Sequence, residues 1–256
     1  MVIYRENLFD LLGNDSRKYH SCILTTFSFD FSFFELHAMR RLKNAGVRNI
    51  LVLVDEGILN ELNENPSGFE FRQNATYGIY PLSAQGVFHS KMIFCAGRSE
   101  GFLAIGSGNL TAAGHGSNDE IWSAFHYKGE DSPNAGIFSQ TWDYIQSLKK
   151  EIRGNSLDKI IRLQEHAKWI DNLPVLKPGS QIKLKNETIS VHPANGSNSL
   201  LREAIKTING KTVSSITLIS PFYDIGGRLI EDMRTNWAEA EINVVIDCNF
   251  GTAPGN

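Results

Sequence analysis

The stretch Val87-Phe88-His89-Ser90-Lys91-Met92-Ile93-Phe94-Cys95-Ala96 reads as a strand and Gly97-Arg98-Ser99-Glu100-Gly101 as a turn. Phe102-Leu103-Ala104-Ile105-Gly106-Ser107-Gly108-Asn109 reads as the returning strand. A hairpin symmetric about Ser99 sets His89 opposite Asn109 and Lys91 opposite Ser107. Side chains two apart on a strand share a face, and so do directly opposite pairs. Four polar side chains then converge on one patch of an otherwise apolar sheet, and a register slip of one residue would scatter them.

Such a patch suits a phosphate diester. A histidine supplies a nitrogen nucleophile near neutral pH, a lysine supplies a point charge for phosphoryl oxygens, and an asparagine amide donates hydrogen bonds. Chemistry at phosphorus rests mainly on placing such groups around the developing charge. Gly106 and Gly108 leave room for a substrate against the backbone, and Leu110 to Ala113 reads as the start of a helix whose amides attract anions.

Outward from the hairpin, Cys22-Ile23-Leu24-Thr25-Thr26-Phe27 is a β-branched, apolar run. Phe33 to Ala45 carries Leu36, Met39 and Leu42 at helical spacing, with Gly46 as its stop. Ile50-Leu51-Val52-Leu53-Val54 is a continuous apolar run ending in Asp55, the mark of a parallel strand buried on both faces. The expected class is α/β, a mixed sheet flanked by helices. The plan recurs in Ile216 to Asp224, the helical stretch Arg228 to Ala240, and Ile242 to Asp247. Asp30 and Asp224 are 194 positions apart, Asp55 and Asp247 192. A repeat is set against chance similarity of two βαβ openings. Three segments follow: a lobe over 1–150, a helical and hairpin insert or linker over 151–212, and the start of a second lobe over 213–256. The insert contains an amphipathic helix over Leu157–Trp169, a hairpin from Lys183 to Val191 and a helix from Leu200 to Ile208.

The 256 residues allow one large domain or two small ones and bury a core without a disulfide or metal staple. A net charge of −3 excludes a wholly basic nucleic-acid coat but not a local basic groove. Cys22, Cys95 and Cys248 sit far apart inside apolar runs and read as reduced thiols of a cytoplasmic protein. The opening seven residues lack a basic region followed by an apolar stretch, and no segment has the ~20 apolar residues of a membrane span. Without secretion, the glycosylation triplets at Asn109 and Asn195 carry no meaning.

His89-Ser90-Lys91, then Gly106-Ser107-Gly108-Asn109, then Glu120 resembles the His-x-Lys … Gly-Ser-x-Asn … Glu signature of the phospholipase D superfamily. The resemblance is strongest over 87–125 and extends in element order over about 20–150. It implies a phospholipase-D-like mixed sheet, with one complete lobe and the beginning of a second. It also implies a metal-independent, cofactor-free phosphodiesterase working through a covalent phosphohistidine. His89 would attack phosphorus or protonate the leaving group, Lys91 and Asn109 would hold phosphoryl oxygens, and Ser107 would add a hydroxyl. Glu120 would accept from a histidine ring of the other motif and fix its tautomer. The family's common Asp five residues after the lysine is Ala96 here. The tyrosyl-DNA phosphodiesterase branch also lacks it, which turns the expectation from lipid towards DNA or RNA. A bacterial defence effector is a context by analogy. A non-catalytic nucleic-acid-binding module partnering an ATPase or helicase is the alternative, and a lipid phosphodiesterase comes third.

Each residue also has a plainer reading: His89 a satisfied strand histidine, Lys91 a solvated one, Asn109 a helix N-cap, Glu120 a surface acid. His115 and His126 read as loop or surface residues without zinc spacing. The strand-end acids Asp30, Asp55, Asp224 and Asp247 read as turn caps. Arg40-Arg41-Lys43 reads as a solvated helix face. Lys149-Lys150 with Arg153, Lys159 and Arg162, and Lys177 with Lys183 and Lys185, read as surface or as a groove for phosphates. The family's site takes two His-x-Lys motifs. The spacing in the first lobe would put a second near position 281, so the second comes from a homodimer partner or from a longer polypeptide.

Overall fold

Two uninterrupted apolar runs build the centre of the sheet. Strands β1 (Ser21–Thr26) and β2 (Asn49–Asp55) are buried at every position and pair in parallel, with Cys22 opposite Ile50. Covering on both faces is why neither shows a polar alternation. The computed structural model describes residues 8–12, 17–64, 76–84, 86–177, 179–192, 199–208, 210–220, 223 and 226–246. They belong to two compact units, 1–197 and 198–256.

In the first unit the crossover from β1 is helical. It consists of α1 (Phe31–Phe33), a π-helical turn over Phe34–Ala38, and α2 (Met39–Asn44). Asp30 caps its start, its carboxylate accepting from the Phe33 N–H at 3.0 Å. Helix α3 (Glu56–Glu64) follows β2, and β3 (Gly78–Leu82) joins β2 in parallel. The chain then turns back. Strand β4 (Met92–Ala96) pairs antiparallel with β1, β5 (Glu100–Gly106) with β4, and β6 (Trp122–Lys128) with β5. The order β3-β2-β1-β4-β5-β6 joins a parallel half to an antiparallel meander at the β1/β4 seam.

One apolar cluster contains Leu24, Phe34, Val52 and Phe102; the other contains Ile23, Leu53, Phe94, Phe138 and Ile160. Phe138 comes from α4 (Ala135–Lys149) and Ile160 from α5 (Gly154–His166). Ile182, in the hairpin of β7 (Ile182–Lys183) and β8 (Thr188–Ile189), joins the second cluster. Residues beyond 150 thus bury side chains in the core of the first unit. Cys22 and Cys95 face each other across the seam, buried and unbridged, with their sulfurs 2.9 Å apart. Cys248 lies outside the described residues, as do Asp224, Asp247 and Asn195.

The second unit holds α6 (Leu200–Ile208), β9 (Ser215–Ile219), α7 (Arg228–Asn236) and β10 (Glu241–Val245), with β9 parallel to β10. Cys22 pairs with Ile50, 28 positions on, and Ile216 with Ile242, 26 positions on. This is the same two-residue difference that separates the recurring sequence plan. Among the described residues no helix is long and apolar enough to cross a membrane.

Candidate active site

Strand directions gather the site. The C-terminal ends of β1 and β5 and the N-terminal ends of β4 and β6 all lie at one end of the sheet. They deliver Thr26 and Phe27, the segment ending in Lys91, the segment Gly106–Asn109, and Glu120.

The hairpin register differs from the expected one. Met92 pairs with Ile105 and Ala96 with Gly101, and the Gly97 N–H donates to the Glu100 carbonyl at 2.8 Å. The turn therefore takes the two residues Arg98 and Ser99 rather than centring on one, as tight hairpins favour. Lys91 comes opposite Gly106, whose N–H donates to the Lys91 carbonyl at 3.2 Å. The expected pairings of His89 with Asn109 and Lys91 with Ser107 are not formed. The groups still reach one end of the sheet because 107–110 leaves the ladder. Leu110 forms a parallel bridge with Phe29, and its N–H donates to Thr26 Oγ1 at 3.0 Å.

His89 is exposed, whereas Lys91 is only 5% exposed. The Lys91 ammonium donates to His89 Nδ1 at 2.9 Å and to the His89 carbonyl at 3.0 Å. The Phe27 ring lies 5.0 Å from the His89 ring and 5.8 Å from the ammonium. Burial pulls the Lys91 pKa down to about 8 against the opposing pull of the Glu120 carboxylate. Desolvation and then the Lys91 charge hold His89 below its ordinary value, with the Asp55 carboxylate working the other way. Ser90, between them, shares a 3.0 Å hydrogen bond with Thr25.

Asn109 is oriented without ambiguity. Its side-chain oxygen accepts from the Ser28 N–H at 3.1 Å and from Thr26 Oγ1 at 3.4 Å. A backbone N–H can only donate, so the amide nitrogen of Asn109 points away, and it has no partner among the described residues. The helix expected from Leu110 is a single π-helical turn over Ala113–Ser117. Ser107 Oγ donates to Glu120 Oε2 at 2.5 Å, and Asn118 Nδ2 donates to Oε1 at 3.2 Å. Gly106 and Gly108 are packed by protein. A β-carbon on Gly106 would meet Trp122 Cδ2 at 2.5 Å, and one on Gly108 would meet the Gly114 carbonyl at 2.6 Å and Trp122 Cζ2 at 2.9 Å.

Phe27, Thr26 and Trp122 are site residues that sequence reading passed over. The rule that α/β sheets bind ligands at strand C-terminal ends pointed to the first two. His115, read as a loop or surface residue, is half-buried in the Ala113–Ser117 turn: its ring packs 4.9 Å from Phe9, 5.3 Å from Phe33 and 5.6 Å from Trp122, and burial lowers its pKa to about 4. Arg41 pairs with Asp10, and Arg153 donates to the carbonyls of Lys150 and Ile152. Among the described residues no three His, Cys, Asp or Glu side chains are grouped as ligands for a metal.

No family model and no curated protein matches the chain. Among solved structures it is similar to yeast tyrosyl-DNA phosphodiesterase, with 13% identity over 86% of this chain and 50% of that chain and a TM-score of 0.50. This is the phospholipase D fold. NucT from Helicobacter pylori is also similar, at 14% identity over 57% of this chain and 89% of that chain, with a TM-score of 0.39. The chain spans about half the length of the yeast structure. The triplet His-x-Lys recurs at His126-Tyr127-Lys128 in β6 and at His166-Ala167-Lys168 at the end of α5. Lys128 pairs with Glu100 at the far end of β6, and the His166 ring stacks 3.8 Å from His20, which precedes β1. Neither triplet reaches the end that holds His89, and neither precedes a Gly-Ser-x-Asn.

Proposed function

We propose that the first unit is a phosphodiesterase lobe acting on nucleic acid, with His89 as its nucleophile. The observation that carries this reading is the arrangement at one end of the sheet. An exposed imidazole stands on a buried ammonium, beside an asparagine whose amide nitrogen is free to donate. Lys91 and Asn109 supply positive charge and a donor to phosphoryl oxygens, which is the main requirement of chemistry at phosphorus. The similar yeast structure is that of a tyrosyl-DNA phosphodiesterase, which favours nucleic acid over lipid as substrate.

In the resting site Lys91 donates to Nδ1 of His89, which leaves the neutral ring's proton on Nε2. A phosphodiester that draws the ammonium onto its own oxygens releases Nδ1 to carry the proton, and Nε2 then presents its lone pair. Nε2 bonds to phosphorus as the bond to the leaving oxygen breaks, and that oxygen takes a proton from a general acid. Water next attacks phosphorus, gives a proton to the same group acting as base, and the N–P bond breaks to restore His89. In this reading the acid is the histidine of a second His-x-Lys motif, brought by another copy of the chain or by another segment of polypeptide. Ser107 holds Glu120 in place, and Glu120 steadies the Lys91 charge.

The test is cleavage of an end-labelled oligonucleotide in EDTA by the wild-type protein and by His89→Ala. Activity lost in the variant is the expected result, and activity retained would remove His89 from its role. Binding without cleavage would instead identify a recognition module that serves a separate ATPase or helicase. Cleavage confined to phosphatidylcholine vesicles would make the substrate a lipid.

A further inference from the structure

We infer that Asp55 is a positioning residue for His89: its carboxylate fixes the backbone of the His89-bearing segment to the end of β2 and sets the charge environment of the imidazole. This inference rests on the reading of His89 as the nucleophile. Asp55 is buried at 8% exposure. One oxygen accepts from the backbone N–H groups of Gly57 at 3.0 Å and Ile58 at 3.3 Å, capping α3. The other accepts from the Phe88 N–H at 2.7 Å, 33 residues away in sequence and adjacent to His89. A capping acid needs only the first set of bonds. Asp30 shows that minimal case, since its side chain accepts only from Phe33 among the described residues.

The Phe88 bond matters because residues 86–90 precede the ladder, whose strand begins at Met92 and whose last backbone bond on this side is from the Gly106 N–H to the Lys91 carbonyl. His89 itself has no strand partner among the described residues, and side-chain anchors flank it. Asp55 holds the backbone on its N-terminal side, and Ser90 is tied to Thr25 on the other. Among the described residues two charges bear on the ring, the Lys91 ammonium that touches Nδ1 and the Asp55 carboxylate from β2. The Phe27 ring beside it is uncharged, and the Glu120 carboxylate acts on Lys91. Asp55 therefore opposes Lys91, keeping the imidazole more basic and more nucleophilic than the lysine alone would allow.

The experiment follows the His89 ring proton by NMR titration in the wild-type protein, Asp55→Asn and Asp30→Asn, with thermal unfolding of each. The expected result is a fall of about half a pH unit or more in the His89 midpoint for Asp55→Asn, the scale of losing one nearby carboxylate. Asp30→Asn should leave that midpoint in place. Equal losses of thermal stability with an unmoved His89 midpoint would reduce Asp55 to a helix cap and overturn the inference. Should Asp55→Asn not fold, the wild-type protein decides. The Phe88 amide should then exchange slowly with solvent, as an N–H held by a carboxylate does, and exchange at the rate of a free loop amide overturns the inference. These readouts need no substrate, so a failure of the cleavage reading would be seen separately, in the oligonucleotide assay.

Discussion

The β1–β2 and β9–β10 pairs are built on one plan and end in opposite environments. Both are parallel pairs joined through a helix, with partners 28 and 26 positions apart. Every residue of β1 and β2 is buried, whereas none of β9 or β10 is, and Ile219 is 78% exposed. Apolar content does not make the difference, since Ile216, Leu218, Ile219, Val244 and Val245 match the first pair in kind. What differs is the neighbours. β1 has a second partner strand in β4, and the β1–β2 pair has apolar clusters on both faces, while β9 and β10 form a two-stranded sheet by themselves. A strand's sequence states what it can bury, and its partners decide whether it does.

The sharpest way to break this comparison is catalytic. His89→Ala should cost about 10³-fold or more in oligonucleotide cleavage, while Asn243→Ala on β10 should leave the rate within about threefold. Comparable losses would mean that the two regions share the chemistry. Next comes packing. Ile23→Ala in β1 should lower unfolding free energy by about 2–5 kcal/mol in urea titrations, and Ile219→Ala in β9 by no more than about 0.5 kcal/mol. A large cost at Ile219 would show that β9 is covered in solution. A smaller effect belongs to the seat of Trp122. Gly108→Ala forces a methyl group against the Gly114 carbonyl and the indole and should cost about 1–3 kcal/mol, with a shift in tryptophan emission.

The smallest effect is in pH. Lys91 is charged below its pKa of about 8 and neutral above it. Cleavage should therefore fall as pH rises through about 8, approaching tenfold per unit beyond it. Lys91→Arg should remove that limb, because a guanidinium keeps its charge. An alkaline limb unchanged in Lys91→Arg would assign it to another group.

Much of this was legible in the chain. The buried runs Ile23–Leu24 and Ile50–Val54 announced a parallel, doubly covered sheet, and Arg228 to Val245 repeated the theme. The spacing of His89, Lys91, Asn109 and Glu120 set these residues around the β4–β5 hairpin, and the fold brings them to one end of the sheet. The register was less visible, because the choice between a one-residue and a two-residue turn at Arg98-Ser99 lies in backbone geometry that side-chain patterns hardly mark. Trp122 was hidden for a different reason. Gly106 and Gly108 looked like room for a substrate, and only the three-dimensional path of β6 shows an indole using that room. The second role of Asp55 depends on a contact 33 residues away, which no local pattern encodes.

The seam between β1 and β4 also bears on how the candidate site is assembled. Ala96 meets Gly101 five positions on, so the meander of β4, β5 and β6 closes through short loops, whereas Thr25 meets Met92 only across 67 positions. Long closures lose more chain entropy and come slowly. Phe27 and Thr26 stand on one side of that closure, and His89 and Lys91 on the other. A nascent or partly unfolded chain thus holds His89 without its surroundings, and the proposed cleavage should return in refolding only with the last, slowest contacts.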